Sequence, residues 1–178
     1  QKNIRLSFKG EYGYGNLEFP IFEKDDVDIA NNLKPTTKFD VLDLKIGQDG
    51  PSGDGFGMTM TSQGLVSKTM REMGNIDLHT QYVHVYNNGK YHGIYTLKEH
   101  WDEHFAETYY GGNKDLYDNI EGWATGNVNL DSDGLPQGSL TSWNALRSAA
   151  TAFNYQGVKG YLNVKQYTDM MLNMMYFD

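Results

Sequence analysis

Glu99 stands where a run of strand-forming residues hands over to a helical pattern, a common place for a functional carboxylate. Val83, Val85, Tyr91, Ile94, Tyr95 and Leu97 flank Asn87-Asn88-Gly89-Lys90. An Asn-Gly pair suits a tight hairpin turn, because both central residues take positive φ at little cost. After Glu99, the residues Trp101, Phe105 and Tyr109 recur every fourth position as one helix face, which Gly111-Gly112 should stop. Asp49 and Asp54 sit in a Gly-, Asp-, Ser- and Pro-rich loop at 47–57. Acidic side chains there either face a ligand or make turns by bonding their own backbone. His100 and His104 are spaced i, i+4, which on a helix brings two imidazoles within reach of one metal. The run reads His-Trp-Asp-Glu-His rather than H-E-x-x-H, and no third ligand is evident, so exposed helix histidines are expected. Asn127, Asn129, Asp131 and Asp133 alternate before Gly134 like the first half of a calcium loop. Leu140 stands where a loop counted from Asn129 needs a bidentate Glu, which favours an ordinary surface loop. The glycines at 10–15 lack the G-K-[ST] ending and the following helix of a phosphate loop.

The elements that must position these residues read as α+β, with strands early and helices late. Ile4, Leu6 and Phe8 alternate with polar residues, as in a half-buried strand. Val41, Leu42, Leu44 and Ile46 predict another strand, ended by the loop at 47–57. A helix over 62–73 should bury Leu65, Val66, Met70 and Met73, with Gly74 as its cap. The hairpin and the helix beyond Glu99 follow. Residues 119–139 are polar and turn-rich, a long excursion rather than a linker between domains. Trp143, Leu146, Ala150 and Phe153 then fall on one helix face. A last helix from about Asn163 carries Val164, Tyr167, Met170, Met171, Met174 and Met175, whose methionines fit a core face.

Composition narrows the function classes. The 178 residues suit one domain or part of a larger one, and 39% hydrophobic content with 13% aromatics excludes general disorder. A net charge of −8 argues against a nucleic-acid-binding surface, which needs a Lys/Arg-rich face. The absence of cysteine excludes disulfides and thiolate zinc sites. No apolar run approaches the length that crosses a bilayer. The chain opens at Gln1 inside a strand-like run, and is read as beginning within a longer protein.

The stretch from Tyr82 to Asp118 also carries a resemblance. Tyr86, Asn88, Gly89, Tyr91, Gly93, Tyr95, Leu97, Glu99 and Asp102 meet the pattern Y-x-N-G-x-Y-x-G-x-Y-x-L-x-E-x-x-D. That pattern is the core of the spore-coat protein H (CotH) kinase family. Gln1-Lys2-Asn3-Ile4-Arg5-Leu6 resembles the family's Q-K-S-F-R-L strand. Glu11-Tyr12-Gly13 with Leu17-Glu18-Phe19-Pro20-Ile21-Phe22 resembles its E-Y-G…L-E-Y-P-L-F segment, and the run at 39–49, FDVLDLKIGQD, its F-x-x-L-x-L-R…D strand and loop. The resemblance therefore covers nearly the whole chain.

The resemblance implies an atypical protein-kinase-like fold: an N-terminal antiparallel sheet with a hairpin, followed by helices, as a single domain over 1–178 truncated at both ends. It implies ATP and Mg2+ as cofactors and phosphate transfer to Ser or Thr of an extracellular, cell-surface or spore-coat protein. A non-catalytic surface adhesion or scaffold module of the same fold is the alternative. Lys2 matches the family's strand lysine and Glu99 its L-x-E glutamate, which together would hold nucleotide phosphates. The alternative for this pair is an ordinary strand-edge lysine and a helix-capping glutamate. Asp49 matches a family aspartate that would face the nucleotide or a metal. Arg5 and Lys45 are weaker cationic candidates, with surface salt bridges as their alternative role. Aligned on Arg71-Glu72-Met73-Gly74, the family's Arg-Asp pair is replaced by Ser62-Gln63, which removes a charged pair from the expected active-site support. The family's catalytic and metal-binding aspartates, in N-x-D-W and W-D-x-D motifs, are expected beyond Asp178. A chain without them is expected to be inactive alone.

Overall fold

The computed structural model describes residues 3–22, 33–46, 62–121, 127–128 and 138–177, which form an antiparallel sheet and helices in an α+β arrangement. The chain divides into two compact units, one of Gln1–His100 with Asn173–Asp178 and one of Trp101–Leu172.

In chain order the first unit carries β1 (Ile4–Ser7), β2 (Leu17–Glu18), β3 (Lys38–Phe39), β4 (Val41–Lys45), α1 (Ser62–Glu72), β5 (Thr80–Asn87) and β6 (Lys90–Glu99). Its main sheet has the order β1-β4-β6-β5, antiparallel throughout, while β2 and β3 pair separately. The hairpin falls where the sequence places it. Asn87 pairs with Lys90, and Asn88 and Gly89 take φ of 50° and 76°, the positive values a two-residue primed turn requires.

Register decides what each face of this sheet carries, because side chains alternate along a strand. Arg5, Asp43, Lys98 and Thr80 lie directly opposite one another across β1, β4, β6 and β5 and make one polar row. The neighbouring row, on the opposite face, runs Leu6, Leu42 and Glu99, and the main-chain N–H of Glu99 donates to the carbonyl of His79 at 3.2 Å. This second face meets the apolar core, where Phe22, Phe39 and Leu42 are buried with Phe8, Leu17, Ile21 and Leu97 around them. Phe22 and Phe39 meet edge to face, with ring centroids 5.7 Å apart. Ile4 and Leu6 alternate as expected, but on an edge strand they keep 36% and 37% exposure.

Helix α1 packs on the polar face at β5. A Cβ at Gly64 would lie 2.9 Å from the Tyr82 hydroxyl and 3.1 Å from Thr80 Oγ1, so glycine permits the close approach of helix to β5. The predicted apolar face of α1 is corrected at Leu65, while Val66 and Met73 are half-buried. Met70 is buried, but beside Ser67 and Arg71, while Leu65 is exposed. Arg71 and Ser67 turn inward instead, where Arg71 donates to the Leu78 carbonyl and Ser67 meets Asp77. Gly74, at φ 82°, ends the helix in a Schellman arrangement: Gly74 N–H donates to the Arg71 carbonyl at 2.8 Å and Asn75 N–H to that of Met70 at 3.1 Å.

The second unit begins with α2 (Glu103–Tyr110), followed by the strand pair β7 (Ile120–Glu121) and β8 (Asn127–Val128), then α3 (Thr141–Thr151) and α4 (Tyr155–Lys159). Asp102 caps α2 by accepting from Phe105 N–H at 2.8 Å, and Gly111 at φ 78° stops it. Trp101 precedes the helix, yet its ring still stacks on Phe105 at 4.5 Å, and Phe105 on Tyr109 at 4.6 Å. Phe153 departs from the predicted helix face. It follows the end of α3 at φ 52° and is 95% exposed.

The last helix, α5 (Val164–Phe177), starts where the sequence predicts, but its methionines are exposed and its buried residue is Asn173. Apolar side chains occupy 170–172 and 174–177 almost without a break, so they ring the helix and cannot share one core face. Asn173 Nδ2 donates to the Val66 carbonyl at 3.1 Å. Among the described residues, no helix is long and apolar enough to cross a membrane.

Candidate functional site

The C-terminal end of β6 delivers three consecutive ionisable residues, Lys98, Glu99 and His100. Strand alternation sends Lys98 and Glu99 to opposite faces of the sheet. Each face then meets its own polar partners.

On the core face, Glu99 is only 3% exposed and His79 only 1%. Glu99 Oε2 accepts from the main-chain N–H of His79 at 2.7 Å and is 2.8 Å from its ring Nδ1. Two donors therefore converge on a single carboxylate oxygen. Glu99 does not cap α2, a role that Asp102 takes. Phe22 packs beside the imidazole, its ring centroid 6.1 Å away, and lowers the local polarity around the pair. A carboxylate gripped in this way is a rigid acceptor. It suits the fixing of a cation more than the shuttling of a proton.

On the other face, Asp43 accepts from Arg5 Nε at 3.2 Å through Oδ1, and its Oδ2 is 2.9 Å from His100 Nδ1. Burial would raise the Asp43 pKa, but the hydrogen bond and charge of His100, then those of Arg5, outweigh it and hold it at about 2. Nearby, Arg71 is buried and donates to the Leu78 carbonyl. Asp77 titrates above the ordinary range because burial outweighs the Leu78 N–H, Arg71, Ser67 and Lys98, all of which favour its charged form. Lys98 is itself buried. This part of the first unit thus holds a buried set of both charge signs.

Of the residues singled out from sequence, Glu99 is placed in this constellation. Lys2, Asp49, Asp54 and Asp178 lie outside the described residues, as do Asn129, Asp131 and Asp133. Arg5 makes the salt bridge anticipated for it, although its partner Asp43 is mostly buried. His100 precedes α2 rather than lying on it, and bonds Asp43, so the paired helix histidines are corrected. His104 Nε2 instead lies 3.4 Å from Lys114 Nζ.

Sequence reasoning missed His79, Asp43, Asp77 and Arg71. A signal existed for Asp43, a lone acid inside the apolar alternation of Val41-Leu42-Asp43-Leu44. None existed for His79, which lies 20 positions from Glu99.

The described residues do not make a magnesium site. They contain no group of three or more His, Cys, Asp or Glu arranged to hold a metal ion. Both oxygens of Asp43 and one of Glu99 are already taken by nitrogen donors.

No curated protein and no solved structure matches the chain. A family model described as CotH kinase protein matches residues 58–177, which include α1, the hairpin with Glu99, and the helices of the second unit. With two-thirds of its length matched, this chain belongs to the CotH kinase family.

Proposed function

We propose that the chain supplies the nucleotide-facing part of an ATP-dependent protein kinase, with Glu99 as a phosphate-site carboxylate. Lys2 is its partner in this reading, and Asp49 faces the nucleotide. The observation that carries the reading is the burial of Glu99 in a two-donor clamp at the end of β6, on a motif that the family match includes. Burying a carboxylate is costly, and a merely structural position is filled more cheaply by an apolar residue. Phosphoryl transfer depends mostly on positioned charge, which rigid groups supply well. The family match runs across both compact units, which supports reading them as one domain. In this reading the acceptor is Ser or Thr of an extracellular, cell-surface or spore-coat protein, as the resemblance read from the sequence implies. Magnesium, when bound, would offset phosphate charge, but the described residues offer no site for it and no step is assigned to it.

A second reading, a non-catalytic surface module, has one observation in its favour. Tyr86 and Tyr91 are exposed at the tip of the hairpin, with ring centroids 5.1 Å apart, and the His84 ring lies 5.7 Å from that of Tyr91. Exposed aromatics of this kind suit carbohydrate or protein contacts.

Calorimetric titration of Mg-ATP into the full-length protein separates the two. Binding that falls about tenfold or more in Lys2→Ala and Glu99→Gln supports the kinase reading. Unchanged binding in both variants overturns the site, and absence of binding in the folded protein favours the surface module.

A further inference from the structure

We infer that His79 is the positioning residue for Glu99: its imidazole sets the direction of the carboxylate on which the nucleotide site depends. The inference rests on the proposed role of Glu99 and adds a residue to it.

His79 reaches Glu99 in three ways. Its main-chain N–H and its ring Nδ1 meet Oε2 at 2.7 Å and 2.8 Å, and its carbonyl accepts from Glu99 N–H at 3.2 Å. The two backbone contacts dock the segment before β5 against the end of β6, and any residue at position 79 can make them. The ring contact is specific to the side chain. A glutamate has three side-chain torsions, and one bond to a main-chain N–H fixes the position of an oxygen without fixing the carboxylate plane. A second donor arriving from another direction fixes that plane, and with it the direction in which Oε1 points. A planar, orientable acceptor thereby becomes a fixed one.

The surroundings preserve this arrangement. His79 is 1% exposed and Glu99 3%, so water does not compete for either partner. Phe22 packs beside the imidazole at a tilt of 31°. Hydrogen bonds to a charged acceptor are among the stronger side-chain contacts, and loss of one at a buried site weakens the hold on the carboxylate. Catalytic and binding groups in general need a supporting residue that holds their torsions, since small displacements are costly.

The test compares three variants of the full chain with the unsubstituted protein: His79→Asn, His79→Phe and Glu99→Gln. An asparagine Nδ2 reaches nearly the same point as the imidazole Nδ1 and keeps a donor there, while phenylalanine keeps the ring and removes it. Mg-ATP affinity is read by calorimetry and Tm by thermal unfolding. The inference expects His79→Phe to weaken Mg-ATP about tenfold, as Glu99→Gln does, and His79→Asn to restore most of the loss. Rescue by asparagine that does not follow Tm is an outcome that a purely structural histidine cannot give.

Wild-type affinity in a folded His79→Phe, alongside weakened Glu99→Gln, overturns the inference and leaves the proposed function standing. Equal weakening in His79→Asn and His79→Phe, in step with Tm, overturns it in favour of a packing role. If His79→Phe does not fold, His79→Asn decides: near-wild-type affinity supports the inference, and a loss as large as that of Glu99→Gln overturns it. Unchanged binding in Glu99→Gln, or no Mg-ATP binding by the unsubstituted protein, overturns the proposed function and the inference with it.

Discussion

Asp43 and His100 are 57 positions apart in sequence, yet Asp43 Oδ2 and His100 Nδ1 lie 2.9 Å apart, which ties the middle of β4 to the residue that leaves β6. Arg5 holds the other carboxylate oxygen from β1, so one acid links three consecutive segments of the sheet.

That acid should make the fold sensitive to low pH. Its pKa is lowered from 3.8 to about 2, so the stabilisation is present above 3.8 and is lost as pH falls through about 2. Asp43→Asn should therefore be up to about 2 kcal/mol less stable than wild type in mildly acidic solution, where imidazoles are ordinarily protonated, and converge with it in strong acid. Urea unfolding at a series of pH values measures the difference; parallel curves would count against the pairing.

Asp77 should behave with the opposite sign. Burial raises its pKa above 3.8, so the folded state favours the protonated acid and stability is lost as pH climbs through its titration range. Asp77→Asn retains an acceptor for Leu78 N–H, now 2.7 Å from Asp77 Oδ1. Its stability relative to wild type should improve as pH rises from 4 to 7, as urea midpoints across that range would record.

Arg71 is buried and donates to the Leu78 carbonyl, and its charge is felt by Asp77. Arg71→Met removes the donor and leaves a buried acceptor and a half-buried acid without that cation. A loss of about 3 kcal/mol or more is expected, and Asp77→Asn in the same chain should recover part of it. A double-mutant cycle by chemical denaturation reads the coupling.

The hairpin turn offers a change with no packing component. Nothing lies within 4 Å of a Cβ placed at Gly89, but its φ is 76°. Gly89→Ala should cost about 1 kcal/mol through backbone conformation alone. A Tm equal to that of wild type would mean that the turn relaxes.

The sequence carried the local signals well. Asn88-Gly89 located the hairpin, Gly74 and Gly111 located two helix ends, and the alternation at Ile4, Leu6, Leu42 and Leu44 assigned one sheet face. What pattern could not supply was the identity of the covering layer. The period of α1 is real, but the segment it meets carries Asp77 and the Leu78 carbonyl, so Ser67 and Arg71 are buried while Leu65 is exposed. The methionines of α5 show the same limit, because a helix apolar on every side carries no information about which side is covered. For the candidate site, Glu99 was legible because a motif and a strand end coincide there. His79 was not, since a hydrogen bond across 20 positions leaves no trace in local composition.

The alternation of Lys98 and Glu99 across the sheet has a consequence for how the chain finds its pairing. A slip of one position between β6 and β4 would turn Lys98 into the layer of Phe22, Phe39 and Leu42 and carry Glu99 away from His79 to the opposite side. Lys98 would then sit in an apolar layer and the His79 ring would lose its carboxylate, so the wrong pairing is penalised twice. The two adjacent charges thus specify a single alignment of the sheet more sharply than apolar alternation alone would.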